Sequence, residues 1–121
     1  MGAHFMKAYV ERQFVRVVEN EFNRIYPFLK IEFEKNGNIR PDAADLEGPD
    51  FDILRKKARG LLLDELNITE TTKVSELETA LQQVFGNAPQ VFRKSGNFWI
   101  GTRMTRDWTL KQQNDHGREL I

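Results

Sequence analysis

A chain of 121 residues with nine phenylalanines, 40% hydrophobic and 30% charged, fits one folded domain with its own core and excludes a disordered chain. Lysine plus arginine equals aspartate plus glutamate, 18 against 18, so no global field draws the protein to nucleic acid or to anionic lipid. Without cysteine there are no disulfides, thiol nucleophiles or Cys-ligated zinc or iron–sulfur centres; no apolar run reaches the ~18 residues of a membrane span, and the start lacks a signal-peptide pattern, so the expectation is a cytoplasmic protein with no membrane partner.

Met1-Gly2-Ala3-His4 reads as an expression scar with Met6 as the natural start. Residues 1–5 are therefore set aside, which leaves 6–121 as a single α+β domain. The first element is a helix: Val10, Phe14, Val17, Val18, Phe22 and Ile25 recur at the spacing of one apolar face. Pro27 ends it, because the residue before a proline avoids helical dihedrals. The period then changes from helical to alternating. Leu29, Ile31 and Phe33 alternate with Lys30, Glu32 and Glu34, the pattern of a half-buried strand.

Asn36-Gly37-Asn38 is turn chemistry. Arg40 to Pro49, with its prolines, its acids and only Leu46 as a large apolar residue, reads as an exposed loop. From Asp50 a short helix ending at Gly60 and a strand over Leu61–Ile68 is the preferred reading. The alternative is one helix through Leu66 on Leu54, Ala58, Leu61, Leu62 and Glu65. Ser75 with Glu78 forms a capping-box pattern for the next helix, whose apolar face is Val74, Leu77, Leu81, Val84 and Phe85 and which stops at Gly86. Gln90–Lys94 and Phe98–Met104 are strands of a hairpin around Ser95-Gly96-Asn97. A final helix begins at Thr109, with Gln112 as its box partner and Gly117 as its stop.

This order predicts an α+β fold: a long N-terminal helix and one or two further helices packed on a small mixed sheet of three or four strands. Strand, helix and hairpin from Leu61 onward suggest a β-grasp-like C-terminal half, an analogy of fold that carries no function. The core is expected to unite Phe14, Phe22, Ile31, Phe33, Leu77, Leu81 and Ile100.

Val74-Ser-Glu-Leu-Glu, Phe85-Gly86, Gln90-Val-Phe-Arg-Lys-Ser-Gly-Asn-Phe-Trp99 and Trp108-Thr-Leu-Lys-Gln-Gln-Asn114, followed by Gly117, form a connected pattern. It resembles a family of small, uncharacterised bacterial proteins. That family has no assigned activity, so the resemblance implies a bacterial setting and no catalytic residues.

The hairpin is the sharpest functional candidate. A three-residue loop pairs Lys94 with Phe98 and Arg93 with Trp99; Phe92, Phe98, Ile100 and Met104 then face the core, and Val91, Arg93, Trp99 and Arg103 face outward. A two-residue Gly96-Asn97 loop pairs Lys94 with Trp99 instead. Either register sets a cation near Trp99. The competing reading is ordinary cross-strand packing, with arginine stems covering an indole. Trp108 and Gln112-Gln113-Asn114 read equally as an anchor for the last helix or as polar contacts for a partner.

Residues 90–121 hold six cations against three anions, and Arg55, Lys56, Lys57 and Arg59 form a second basic cluster. Both suit phosphate binding and both suit solvated faces. Asp115-His116 lacks the further ligands or nucleophile of a metal or catalytic site. Asp42, Asp45, Glu47, Asp50 and Asp52 lack the spacing of a calcium loop. The resulting expectation is a non-enzymatic interaction or self-association module with no metal and no cofactor. Its docking residues are Arg93, Lys94, Trp99, Arg103 and Trp108, and its partner is another protein or a second copy. The alternative is a nucleic-acid-binding accessory protein using the 90–104 hairpin and the 55–59 cluster.

Overall fold

The computed structural model describes residues 2–33 and 49–119, with the side chains of 13–33 and 50–119. The expected turn at Asn36–Asn38 and the loop through Gly48 lie outside the described residues. Helix α1 spans Gly2–Ile25 and strand β1 Leu29–Phe33. Helix α2 spans Pro49–Gly60 and runs on as a π-helical turn, Leu61–Glu65. Helix α3 is Val74–Phe85, strands β2 and β3 are Pro89–Ser95 and Phe98–Gly101, a 3-10 turn covers Arg103–Thr105, and helix α4 is Leu110–Glu119. Among the described residues no helix is long and apolar enough to cross a membrane.

The α+β expectation holds, with helices on one face of a three-stranded sheet in the order β1-β2-β3. Both strand pairs are antiparallel rather than mixed. Alternation in β1 buries Leu29, Ile31 and Phe33, and cross-strand pairing puts Arg93, Val91 and Pro89 beside them on the same inner face. Val17, Val18 and Phe22 of α1, Leu61 and Leu62 of the π turn, Val74, Leu77 and Leu81 of α3, and Leu110 of α4 fill the space beneath. Six of the seven expected core residues are in or against this cluster, Phe14 from its margin. Ile100 is not, for a reason given below.

The expected strand at Leu61–Ile68 does not form. Gly60 has helical dihedrals, φ −60° and ψ −41°, so the helix passes through it. The N–H of Leu66 reaches back to the carbonyl of Leu61 at 2.8 Å, and that of Ile68 to Leu62 at 2.8 Å. This widened turn brings Leu61, Leu62 and Ile68 onto one buried side. Asn67 closes it at φ 54°, a left-handed position that asparagine tolerates. Without that strand the C-terminal half is not β-grasp-like.

Two helix signals act at other positions than expected. The N–H of Lys73 donates to Glu76 Oε1 at 2.8 Å, so α3 is capped two residues ahead of the Ser75–Glu78 pattern; Glu78 instead accepts from Arg106 Nε at 3.0 Å. At α4 the Thr109–Gln112 box forms in both directions, 2.8 and 3.1 Å. Gly117 does not stop α4. It lies buried inside the helix, where an added Cβ would come within 3.0 Å of Phe28 Cβ and 3.1 Å of Arg93 Cγ. Its missing side chain is what lets α4 lie close against β1 and β2.

Candidate functional site

The hairpin takes the two-residue register, Ser95↔Phe98, Lys94↔Trp99 and Arg93↔Ile100. Gly96 has φ 61° while Asn97 has no positive φ, the dihedral pattern of a type II′ turn, whose twist suits a hairpin. The register decides every face. Val91 and Arg93 point inward and are buried, not outward as the longer loop requires. Lys94 and Trp99 share the outer face with Lys30, Glu32 and Phe92. Lys30 Nζ lies 4.9 Å from the Trp99 ring centroid and 5.6 Å from that of Phe92, so the nearest cation to the indole comes from β1. Sequence reasoning missed Lys30 because nothing local to the hairpin says that β1 pairs with β2.

Phe98 and Ile100 fall on the inner side, yet both are exposed. The helices pack against β1 and β2, and β3 overhangs them. Phe98 is 73% exposed, Ile100 38%, Trp99 37%, and Met104 in the following 3-10 turn 97%. Ile100 was expected in the core, and Phe98 and Met104 faced it only in the three-residue register; the strand is apolar, but no described helix packs closely against it.

The two outer strands of the sheet differ at their free edges. On β1, the N–H of Phe33 donates to Glu19 Oε2 at 3.0 Å, and the carbonyl of Leu29 accepts from Asn23 Nδ2 at 2.7 Å. Side chains of α1 thus satisfy edge groups of β1. On β3, Thr102 N–H donates to the Val91 carbonyl at 3.1 Å. Antiparallel pairs alternate, so Ile100 and Phe98 also bond to β2, and the backbone groups of Trp99 and Gly101 point away from the sheet. The segment Phe98-Trp-Ile-Gly101 carries no charge and no proline, the usual guards of an exposed edge.

The five residues singled out from sequence do not form one surface. Lys94 and Trp99 lie together on the outer face, and Arg103 is exposed beyond β3. Arg93 is buried and Trp108 half-buried beside it. Arg93 is 9% exposed, and its Nη1 donates to Gln113 Oε1 at 2.7 Å. Its guanidinium carbon stands 5.6 Å from the Trp108 ring centroid. Burial lowers its pKa below the ordinary arginine value. Gln113 passes the network on to the carbonyl and hydroxyl of Thr105 at 2.9 and 2.7 Å. Trp108 also meets His116 edge-on at 5.5 Å, so it anchors α4 rather than presenting a free ring.

The second basic cluster is partly consumed. Arg55 and Arg59 reach the buried carboxylate of Glu21 at 3.7 and 3.4 Å and join α2 to α1. Lys56 and Lys57 stay exposed on α2, with α1 and the sheet between them and the outer face that carries Trp99. Asp115 accepts from Lys111 at 2.6 Å, which holds its carboxyl below the usual range. A shallow groove of about 800 Å³ runs between α3 and the end of β2. Its acids are ion-paired, Glu78 to Arg106 at 3.0 Å and Glu32 to Lys30 at 3.7 Å. Among the described residues no three metal-ligating side chains converge.

No family model, curated protein or solved structure matches the chain.

Proposed function

We propose that this chain is a non-enzymatic protein-interaction module that docks a polypeptide along the free edge of β3. The observation that carries the reading is the contrast between the two sheet edges. Two edge groups of β1 are engaged by side chains of α1, whereas among the described residues β3 offers the unguarded backbone of Trp99 and Gly101 flanked by exposed Phe98, Ile100 and Met104. Strand addition to such an edge draws affinity from main-chain hydrogen bonds and specificity from the side chains on either face. Trp99, with Lys30 against its ring, is the anchor on the outer face. The nucleic-acid alternative has less support, because Arg55 and Arg59 are engaged by Glu21, and the remaining lysines of α2 do not share the face of Trp99.

Affinity capture from native cells with wild type, Trp99→Ala and Ile100→Lys tests the reading. Both variants should melt cooperatively and lose the partner. A partner retained by both would overturn it. Salt-sensitive binding of a nucleic acid, lost on Lys56→Ala with Lys57→Ala, would favour the alternative.

A further inference from the structure

We infer that the occupant of the β3 edge is β3 of a second copy of this chain, paired antiparallel about a twofold axis through Ile100. The inference rests on the docking reading above and names its partner. A twofold that continues one sheet into another keeps each residue on its own face, so paired residues must share a face and the axis must pass through a residue. With the axis at Ile100, Trp99 pairs with the partner's Gly101, and Gly101 with the partner's Trp99. Every backbone group that β3 turns away from β2 then finds a mate within the strand. An axis through Trp99 would instead require Asn97, which the hairpin uses in its turn.

The side chains are self-complementary in this register. Trp99 lies opposite a residue without a side chain, where the flexible Gln90 amide, 3.1 Å from the place of an added Cβ, gives way to the indole, a pairing that stabilises edge glycines. On the inner side Ile100 meets its own copy, and Phe98 faces the partner's Thr102. None of the residues paired in this register, Phe98 to Thr102, carries a charge, so no like charges are opposed. The zero net charge leaves no long-range repulsion between copies.

The area is sufficient for a weak dimer. At the exposures given above, Phe98, Trp99, Ile100 and Met104 present on the order of 500 Å² per copy. Two copies bury at most about 1,000 Å², the lower bound for a specific interface, so the dimer is expected to be weak and concentration-dependent.

Two measurements on the purified full chain decide it. Sedimentation at concentrations bracketing ~100 μM should show wild type passing from monomer to dimer and Ile100→Lys remaining monomeric with its cooperative melt intact. The second uses the absence of cysteine. The Ile100 pair on the axis is non-hydrogen-bonded, with Cα atoms about 4.5 Å apart, within disulfide range. Ile100→Cys should therefore cross-link to itself under mild oxidation at least ~10-fold faster than Phe98→Cys, whose own copy lies four pairs along the ladder, beyond disulfide reach. A monomeric wild type, a dimer untouched by Ile100→Lys, or equal cross-linking rates would each overturn the self-pairing. A monomeric wild type that still captures a cellular partner lost on Ile100→Lys would overturn self-pairing alone and leave the docking reading standing.

Discussion

Gln113→Leu isolates the polar link that holds α4 to the sheet. The two side chains are close in volume, so the substitution opens little cavity at a fully buried site. What it removes is the acceptor at 2.7 Å from Arg93 Nη1 and the donor to Thr105. Arg93 has no carboxylate in ion-pair contact among the described residues, and its Nε already lacks a hydrogen-bond partner. Losing an acceptor from a largely buried charged donor costs about 2 kcal/mol, whereas the Thr105 carbonyl keeps the N–H of Trp108 at 3.0 Å and adds little. The expected loss is therefore ~2 kcal/mol, or roughly 8 °C in melting temperature for a domain of this size. Urea unfolding followed by tryptophan fluorescence measures it, since Trp108 stands beside Arg93. Arg93→Met should also destabilise, by stranding the Gln113 carbonyl. The double variant should lose less than the sum of the two, because no charged donor is left without an acceptor. A loss below ~1 kcal/mol for Gln113→Leu, or strict additivity in the cycle, would refute the reasoning.

Gly117→Ala should destabilise despite the ~1 kcal/mol of helix propensity that it gains, because the new Cβ meets Phe28 Cβ, Arg93 Cγ and the Phe28 carbonyl at 3.0–3.2 Å. Overpacking against backbone costs about 1–3 kcal/mol, so calorimetry should show a net drop in melting temperature; a rise would mean that α4 shifts freely. Phe22→Ala and Leu81→Ala, both at sites with no exposed surface, should each lose about 2–5 kcal/mol by cavity formation, and an unchanged urea midpoint would remove these residues from the core. Asp115 has its folded-state pKa depressed, chiefly by the hydrogen bond from Lys111. Its contribution is complete above the unfolded carboxylate pKa of about 4 and is lost as pH falls through the depressed value. Melting temperature against pH should accordingly fall less steeply below pH ~4 in Asp115→Asn than in wild type; parallel curves would contradict the pairing.

The periodic elements were legible because one local rule governed each of them. The face of α1 and the alternation of β1 followed from side-chain spacing alone, and Gly86, with φ 83°, ended α3 where expected. Leu61–Ile68 was not legible. A short apolar run after a glycine fits a strand or a buried helical turn equally, and the choice fell to tertiary packing, which needed Leu61, Leu62 and Ile68 on one side. Gly117 carried a stop signal by composition and acted as a close-contact residue instead, since the approach of Phe28 cannot be seen from the helix's own sequence.

The hairpin shows why site residues are harder to read than elements. Side chains alternate with a period of two, so one residue more or less in the turn exchanges the two faces of a strand. With Gly96-Asn97 as the whole loop, Arg93 leaves the surface and becomes an interior partner of Gln113, while Trp99 keeps a solvent-facing ring. Phe98 and Ile100 do face the helical side, as core residues would, but facing inward buries a side chain only where something lies beneath. The helices stop at β2. Whether apolar residues of an edge strand are core or contact surface therefore depends on the width of the layer below them, a property of the whole packing and not of the strand's own sequence. The overhang converts two residues of core type into the most exposed part of the sheet, and it does so beside the one edge that α1 leaves uncapped.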